Sequence, residues 1–319
     1  MKRIFRACLN SVAADVRRRI YAPVMEETIR LLTSAATGRR IFKQSFKIVA
    51  PVLLLAVAAG VVVGQRTARD IEDQRGAPVP EWKNAEAFKK DVFTFVRIKY
   101  TASGGHTFDR WAIDAPDSDL NFSYRLQQMT SMKVDPDGKF LELTDKELFD
   151  YPFIYIVEPG RLMFKDEEVT ILRNYLLNGG FLMVDDFWGK SEWANFYREI
   201  KRVFPEDKYE PQELPLEHSI FHCVFDLKEK PQIPNVNLGT ASQYPGPYFG
   251  MTWERPDAKE VHYKEIKDDK GRMMVIICHN TDLGDGWEQE GANEYYFHEF
   301  SEKKAYPLGI NIIFYAMTH

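Results

Sequence analysis

The stretch from Tyr175 to Gly189, YLLNGGFLMVDDFWG, closes an apolar run on two adjacent carboxylates, Asp185 and Asp186, with Trp188 just beyond. Acids at the end of a buried strand are costly unless something partners them. One of the two can bind a cation or a hydroxyl-rich ligand, with Trp188 as an apolar wall. The alternative is that one caps the next helix and the other pairs with an arginine. Neighbouring strand residues point to opposite faces, so a single acid is expected to enter a crevice. Asp186 is the expected one, as the last residue before the chain breaks into Phe187-Trp188-Gly189.

A second cluster follows another apolar run: His279, Asn280, Asp282, Asp285, Trp287 and Glu288 within HNTDLGDGWE. Carboxylates, an amide and an imidazole can ligate a metal or bind a polar ligand. Asp186 and His279 are therefore the candidate catalytic residues, with Asp185, Trp188, Asn280, Asp282, Asp285 and Trp287 as ligand-binding candidates. The run Asp282-Leu-Gly-Asp285-Gly lacks the alternating oxygen ligands of an EF-hand, and the alternative is a Gly-rich turn. His218 and His222 stand at the i, i+4 spacing of a zinc helix. Ser219 follows His218 where a metalloprotease keeps its glutamate, so a turn or cap role is expected for His218 and a packed or surface role for His222. No cofactor motif is present, and a divalent cation is the one candidate. Tyr151, Trp253 and Trp287, with QYPGPYFGMTW, are candidates for an aromatic sugar groove; the alternative is a packed surface loop.

These residues need elements to position them. VFTFVRIKY (92–100), PFIYIV (152–157) and FLMVDD (181–186) read as strands, and the last two are continuous apolar runs of the kind buried on both faces. Between and after them, SDLNFSYRLQQMTS, EEVTILRNYLLN and SEWANFYREIKRVF have helical spacing, with Asp117, Asp166 and Ser191 as expected caps. Thr144 is the expected cap of a short helix, DKELFD. VHYKEIKDDKGRMMVIICHN reads as two strands around a turn at Asp269-Lys270-Gly271, and AYPLGINIIFYAMTH as an apolar helix with Pro307 in its first turns. Strand–helix–strand units with short links predict a three-layer α/β domain on a mostly parallel sheet.

The 319 residues are 45% hydrophobic, enough for a large core. The net charge of −5 is unevenly spread. Residues 1–47 hold eleven Lys and Arg against three acids, a net +8, which leaves −13 for the remainder. An acidic domain is a poor nucleic-acid binder. The uncharged run Ile48 to Val63, 16 residues, lies between a spanning helix and a signal-peptide core in length. The expected organisation is a basic cytoplasmic leader (1–47), a transmembrane or signal segment (48–64), a linker (65–90) and an α/β domain (91–319). The basic flank places the domain in the periplasm, tethered to the inner membrane or released after cleavage before Gln65. Arg39-Arg40-Ile41-Phe42 is similar to a twin-arginine export signal. Cys223 and Cys278 lie on the exported side, and two separate buried thiols are expected rather than a disulfide.

YIVEPG, YLLNGGFLMVDDFWG, HSIFHCVFDL, VIICHNTDLGDGWE and AYPLGINIIFYAMTH resemble a bacterial family, the domain of unknown function 4159, over residues 92–319. The resemblance implies a flavodoxin-like sheet within the class I glutamine amidotransferase-like fold. It also implies envelope partners with von Willebrand A-type domains and MoxR-type ATPases. Active amidotransferases place a cysteine on the turn after a central strand, prepared by a histidine. Here Asp185, Asp186 and Phe187 occupy that turn. The resemblance therefore implies a binding or scaffold module without the amidotransferase nucleophile. The alternative is a ThuA-like enzyme acting on a carbohydrate or cell-wall ligand through a strand-end carboxylate and histidine.

Overall fold

The computed structural model describes residues 67–71, 78–88, 91–104 and 110–319. The leader 1–47 and the apolar segment 48–64 lie outside the described residues, and so do the topology and export signals expected there. Among the described residues no helix is long and apolar enough to cross a membrane.

The strands are β1 (Val96–Lys99), β2 (Thr101–Ala102), β3 (Lys139–Glu142), β4 (Phe153–Val157), β5 (Leu162–Met163), β6 (Phe181–Asp185), β7 (Gln212–Glu213), β8 (His262–Lys267) and β9 (Met273–His279). Seven of them form one sheet in the order β3-β1-β4-β6-β9-β8-β7. The first five run parallel, and β8 and β7 extend the edge by antiparallel pairing. The chain therefore steps one way from β1 to β3 and the other way through β4, β6 and β9. The succession reverses between β1 and β4.

The helices are α1 (Asp117–Met129), α2 (Asp166–Leu177), α3 (Gly189–Val203), α4 (Val236–Ala241), α5 (Leu283–Glu288) and α6 (Tyr306–Thr318). The pleat sorts side chains between two cores. Phe153, Tyr155 and Val157 of β4 meet α1, α5 and α6 on one face. Ile154 and Ile156 meet α2 and α3 on the other. That is the expected three-layer arrangement. Gly309 lets α6 approach closely, since a Cβ there would lie 2.6 Å from the Phe122 ring and 2.7 Å from that of Trp287.

Several local expectations shift. Helix α3 begins at Gly189, two residues before the expected cap Ser191, because groups from elsewhere satisfy its first N–H donors. Glu192 accepts from Trp188 N (2.7 Å), Asn280 from Gly189 N (2.8 Å) and Asp257 from Lys190 N (3.0 Å). The residues flanking α1 and α2 as caps are Pro116 and Lys165, with Asp117 and Asp166 one position inside; the short 3-10 helix Lys146–Asp150 is flanked by Asp145 rather than Thr144. The C-terminal helix α6 begins at Tyr306 with Pro307 in its first turn, as expected, but the helical stretch does not begin there. A π-helix, Phe297–Ala305, runs directly into α6, so Pro307 sits inside a continuous helical stretch. A wide turn ahead of Pro307 suits a residue that lacks an N–H and crowds the preceding turn. Part of the expected linker packs on the domain: Ala68 and Val79 are buried, and Arg69 donates to Val79 O at 2.8 Å.

Candidate functional site

Asp185 shares the face of Phe181 and Met183 and enters the layer beneath α5. Its Oδ2 accepts from Tyr155 Oη at 3.1 Å and from the backbone N–H groups of Leu283 (2.9 Å) and Gly284 (3.0 Å). Those N–H groups open α5, where a carboxylate is favoured. Asp185 is wholly buried, and its Oδ1 has no hydrogen-bond partner. Burial pushes its carboxyl up to about 7, with the bonds from Gly284 and Tyr155 pulling the other way.

Asp186 is turned differently. Its φ of +55° ends the strand in the left-handed region. Its Oδ1 accepts from Trp188 Nε1 at 3.0 Å. One carboxylate oxygen each from Asp186, Asp114 and Asp282 lie within 4.8 Å of one another, and Asp114, Asp285 and Glu288 form a second trio of the same size. All five acids are buried, the most open being Asp186 at 8% exposed. Burial raises the carboxyl of Asp186 well above the usual range, and Glu158 and Asp114 add to it. Burial does the same for Asp114, with Asp285 and Glu288 next, and for Asp282, with Asp186 and Asp285 next. Asp285 is pushed up to about 7 by burial and then by Glu288.

Asp114 comes from a loop that Arg97 of β1 holds in place. The Arg97 guanidinium is fully buried; its Nε donates to Asp119 Oδ2 at 2.9 Å, and its Nη1 to Trp111 O (3.0 Å) and Ile113 O (2.7 Å). A Cβ on Gly284 would fall 2.4 Å from Asp114 Oδ2, so a glycine is required for the carboxylate to lie there. Among the described residues the non-glycine positions with positive φ are Asp114 (63°), Glu158 (46°), Asp186 (55°) and Asn280 (63°). Asp114 and Asp186 belong to the cluster, and Glu158 is the charge that Asp186 feels most strongly. Each such conformation costs on the order of 1–3 kcal/mol, and such residues concentrate at functional sites.

A family model described as Domain of unknown function (DUF4159) matches residues 94–317. The chain belongs to this family. No curated protein matches it. Within this DUF4159 domain the remaining candidates separate. His279 does not join the acids. Its Nε2 faces Gly189 O at 3.1 Å, so that nitrogen carries the proton, and its ring packs on Phe187, Trp193 and His262. Burial depresses its pKa to about 4. Asn280 ties two strand-end loops together, accepting from Gly189 N and donating to Glu260 O at 2.7 Å. Asp282 caps α5 by accepting from Asp285 N at 2.7 Å, so this stretch is a short helix and neither a calcium loop nor a Gly-rich turn.

The aromatic groove does not assemble. Trp287 is a core residue, wholly buried against Phe122. Tyr151 precedes β4 and so lies at the opposite end of that strand from the acids. The 243–253 loop instead exposes Tyr244, Tyr248 and Phe249 at 62%, 52% and 65%. His218 caps a 3-10 turn by accepting from Ile220 N at 3.2 Å, and His222 pairs with Asp226 at 2.7 Å. Cys278 is buried and unpaired; Cys223 is unpaired too but exposed, against the expectation that both are buried. Asp114, Glu158 and Glu254 were not among the sequence candidates. Glu158 had a signal, since Glu-Pro-Gly follows a buried strand; Asp114, in a loop between elements, had none.

Proposed function

We propose that this DUF4159 domain is a non-catalytic binding module of the bacterial envelope that takes a hydroxyl-rich cell-wall glycan at the carboxyl ends of its parallel strands. The observation that carries this reading is the turn after β6. Asp186 stands there in place of a nucleophilic cysteine, and His279 gives its ring N–H to the Gly189 carbonyl rather than serving an acid or a nucleophile. The location is supported by the reversal of strand succession between β1 and β4, because open α/β sheets bind ligands at such points. The same order is that of flavodoxin-like sheets, in keeping with the class I glutamine amidotransferase-like fold. Carboxylates accept hydrogen bonds from sugar hydroxyls, and exposed Tyr244, Tyr248 and Phe249 offer faces on which sugars stack. Their loop leads to Glu254, whose charge acts on Asp186 and Asp285. The basic leader and the apolar segment 48–64 support a periplasmic domain held at, or released from, the inner membrane. Von Willebrand A-type and MoxR-type proteins are the expected envelope partners.

One observation favours a ThuA-like enzyme as a second reading: carboxyls held well above their usual range are the pattern of general acids. Sedimentation of the purified full chain with isolated peptidoglycan sacculi separates the two. Binding without release of soluble fragments is expected, weakened about tenfold, the loss of ~1.4 kcal/mol, in a Tyr248→Ala/Phe249→Ala variant. Soluble fragments whose release stops in Asp186→Asn would establish the enzyme instead.

A further inference from the structure

We infer that Asp114, Asp186 and Asp282 hold one hard divalent cation of the magnesium or calcium class. The site lies at the strand ends assigned above to the glycan, and the inference rests on that reading of where ligands enter.

Asp186 and Asp282 alone would be only a pair of strand-end acids. The independent observation is Asp114, which reaches them from a separate loop. It is 4% exposed, and its Oδ2 has no hydrogen-bond partner. A buried carboxylate oxygen with no donor is rare and calls for an explanation such as a missing ion. Arg97 fixes that loop through the carbonyls of Trp111 and Ile113 and its charge acts on Asp114, but its N–H donors go to Asp119, Ser118 and those carbonyls and none to Asp114. Gly284 leaves room for the carboxylate and supplies nothing to neutralise it.

Each of the other two acids commits one oxygen to a protein donor. Asp186 spends Oδ1 on Trp188 Nε1, and Asp282 spends Oδ1 on Asp285 N. Among the described residues no donor reaches the second oxygen of either. The rival trio is more committed: Asp285 Oδ2 accepts from Val236 N at 2.7 Å, and Glu288 is bonded to Gln289. Three carboxylate oxygens within 4.8 Å of one another surround a space that an oxygen-seeking ion fits. With neither sulfur nor imidazole in the trio, zinc and copper are disfavoured.

The test uses the full chain in detergent, stripped with EDTA, with terbium as a luminescent stand-in for calcium. Trp188 lies against Asp186 and should sensitise a bound ion. Tryptophan excitation is expected to give saturable terbium emission at about one equivalent, competed away by calcium or magnesium. Calcium or magnesium should also raise the melting temperature. Asp114→Asn and Asp282→Asn, with near-ultraviolet circular dichroism unchanged, should weaken binding at least about tenfold, since even outer-shell changes cost ~10–100-fold. Asp186→Asn serves if either fails to fold. Absence of saturable emission and of any melting shift in the unmodified chain overturns the inference, as does full affinity in folded Asp114→Asn. Sedimentation with sacculi that survives EDTA, without terbium emission, removes the cation alone. Terbium emission without sedimentation removes the glycan alone.

Discussion

Asp185 and Asp186 carry the same side chain and meet different surroundings because φ turns positive at the second. Asp185 continues the pleat and meets the opening N–H groups of α5; Asp186 leaves it and joins Asp114 and Asp282. His279 is the third residue whose role follows from its contacts. Held neutral by burial, its folded pKa is about 4 against an ordinary 6.5. The native state thus binds fewer protons than the unfolded chain between those values. Its contribution is fully present above about pH 6.5 and is lost as pH falls toward 4, by up to about 3 kcal/mol. The raised carboxyls act in the opposite sense, so the unmodified protein alone does not isolate the histidine. His279→Phe keeps the ring packing and removes the titration. Urea unfolding at pH 7 and pH 4.5 should show the unmodified protein losing stability relative to the variant on acidification. A stability gap that does not change with pH would mean that His279 is not held neutral.

At the level of elements, the site depends on how β1, α1 and the loop between them are joined. Arg97 on β1 meets Asp119 in the first turn of α1, both out of contact with solvent, and two carbonyls of the intervening loop. Removing one partner of a buried ion pair leaves the other uncompensated, at a cost of ~3–5 kcal/mol. Arg97→Met should therefore destabilise the domain by about that amount in denaturant titrations. Adding Asp119→Leu should return a substantial part of the loss, because no charge is then stranded. If Arg97→Met cost under ~1 kcal/mol, the pair would not be what secures the loop that carries Asp114.

The whole molecule is divided by charge. A net +8 over residues 1–47 precedes the uncharged run from Ile48, and the acidic remainder follows it. Positive flanks stay in the cytoplasm, so a phosphatase reporter fused after His319 is expected to be active in the periplasm, and a cytoplasmic reporter at the same point silent. The reverse pattern would remove both the tethered and the released arrangements. A new N-terminus at Gln65 would distinguish release from tethering.

The parallel strands were legible because residues buried on both faces leave continuous apolar runs, as in Phe153–Val157 and Phe181–Asp185. Most helices were legible to within a residue or two, from spacing and terminal signals. The start of α3 was not, since its donors are met by Asn280 and Asp257, distant in sequence. The same separation governs the site. Asp186 and Asp282 stand out because the first closes an apolar run and the second follows one within a few residues. Asp114 closes none; a buried arginine on another strand and a glycine on another helix bring it there. His279 stands beside the acids in the sequence reading, and the structure turns its Nε2 to the Gly189 carbonyl. Hydrophobic period and charge are properties of neighbours along the chain, so the sequence alone determined the layers and the +8 flank. Which acids face one another depends on backbone torsions and loop anchoring set by residues tens to nearly two hundred positions away, so only the tertiary structure decided it.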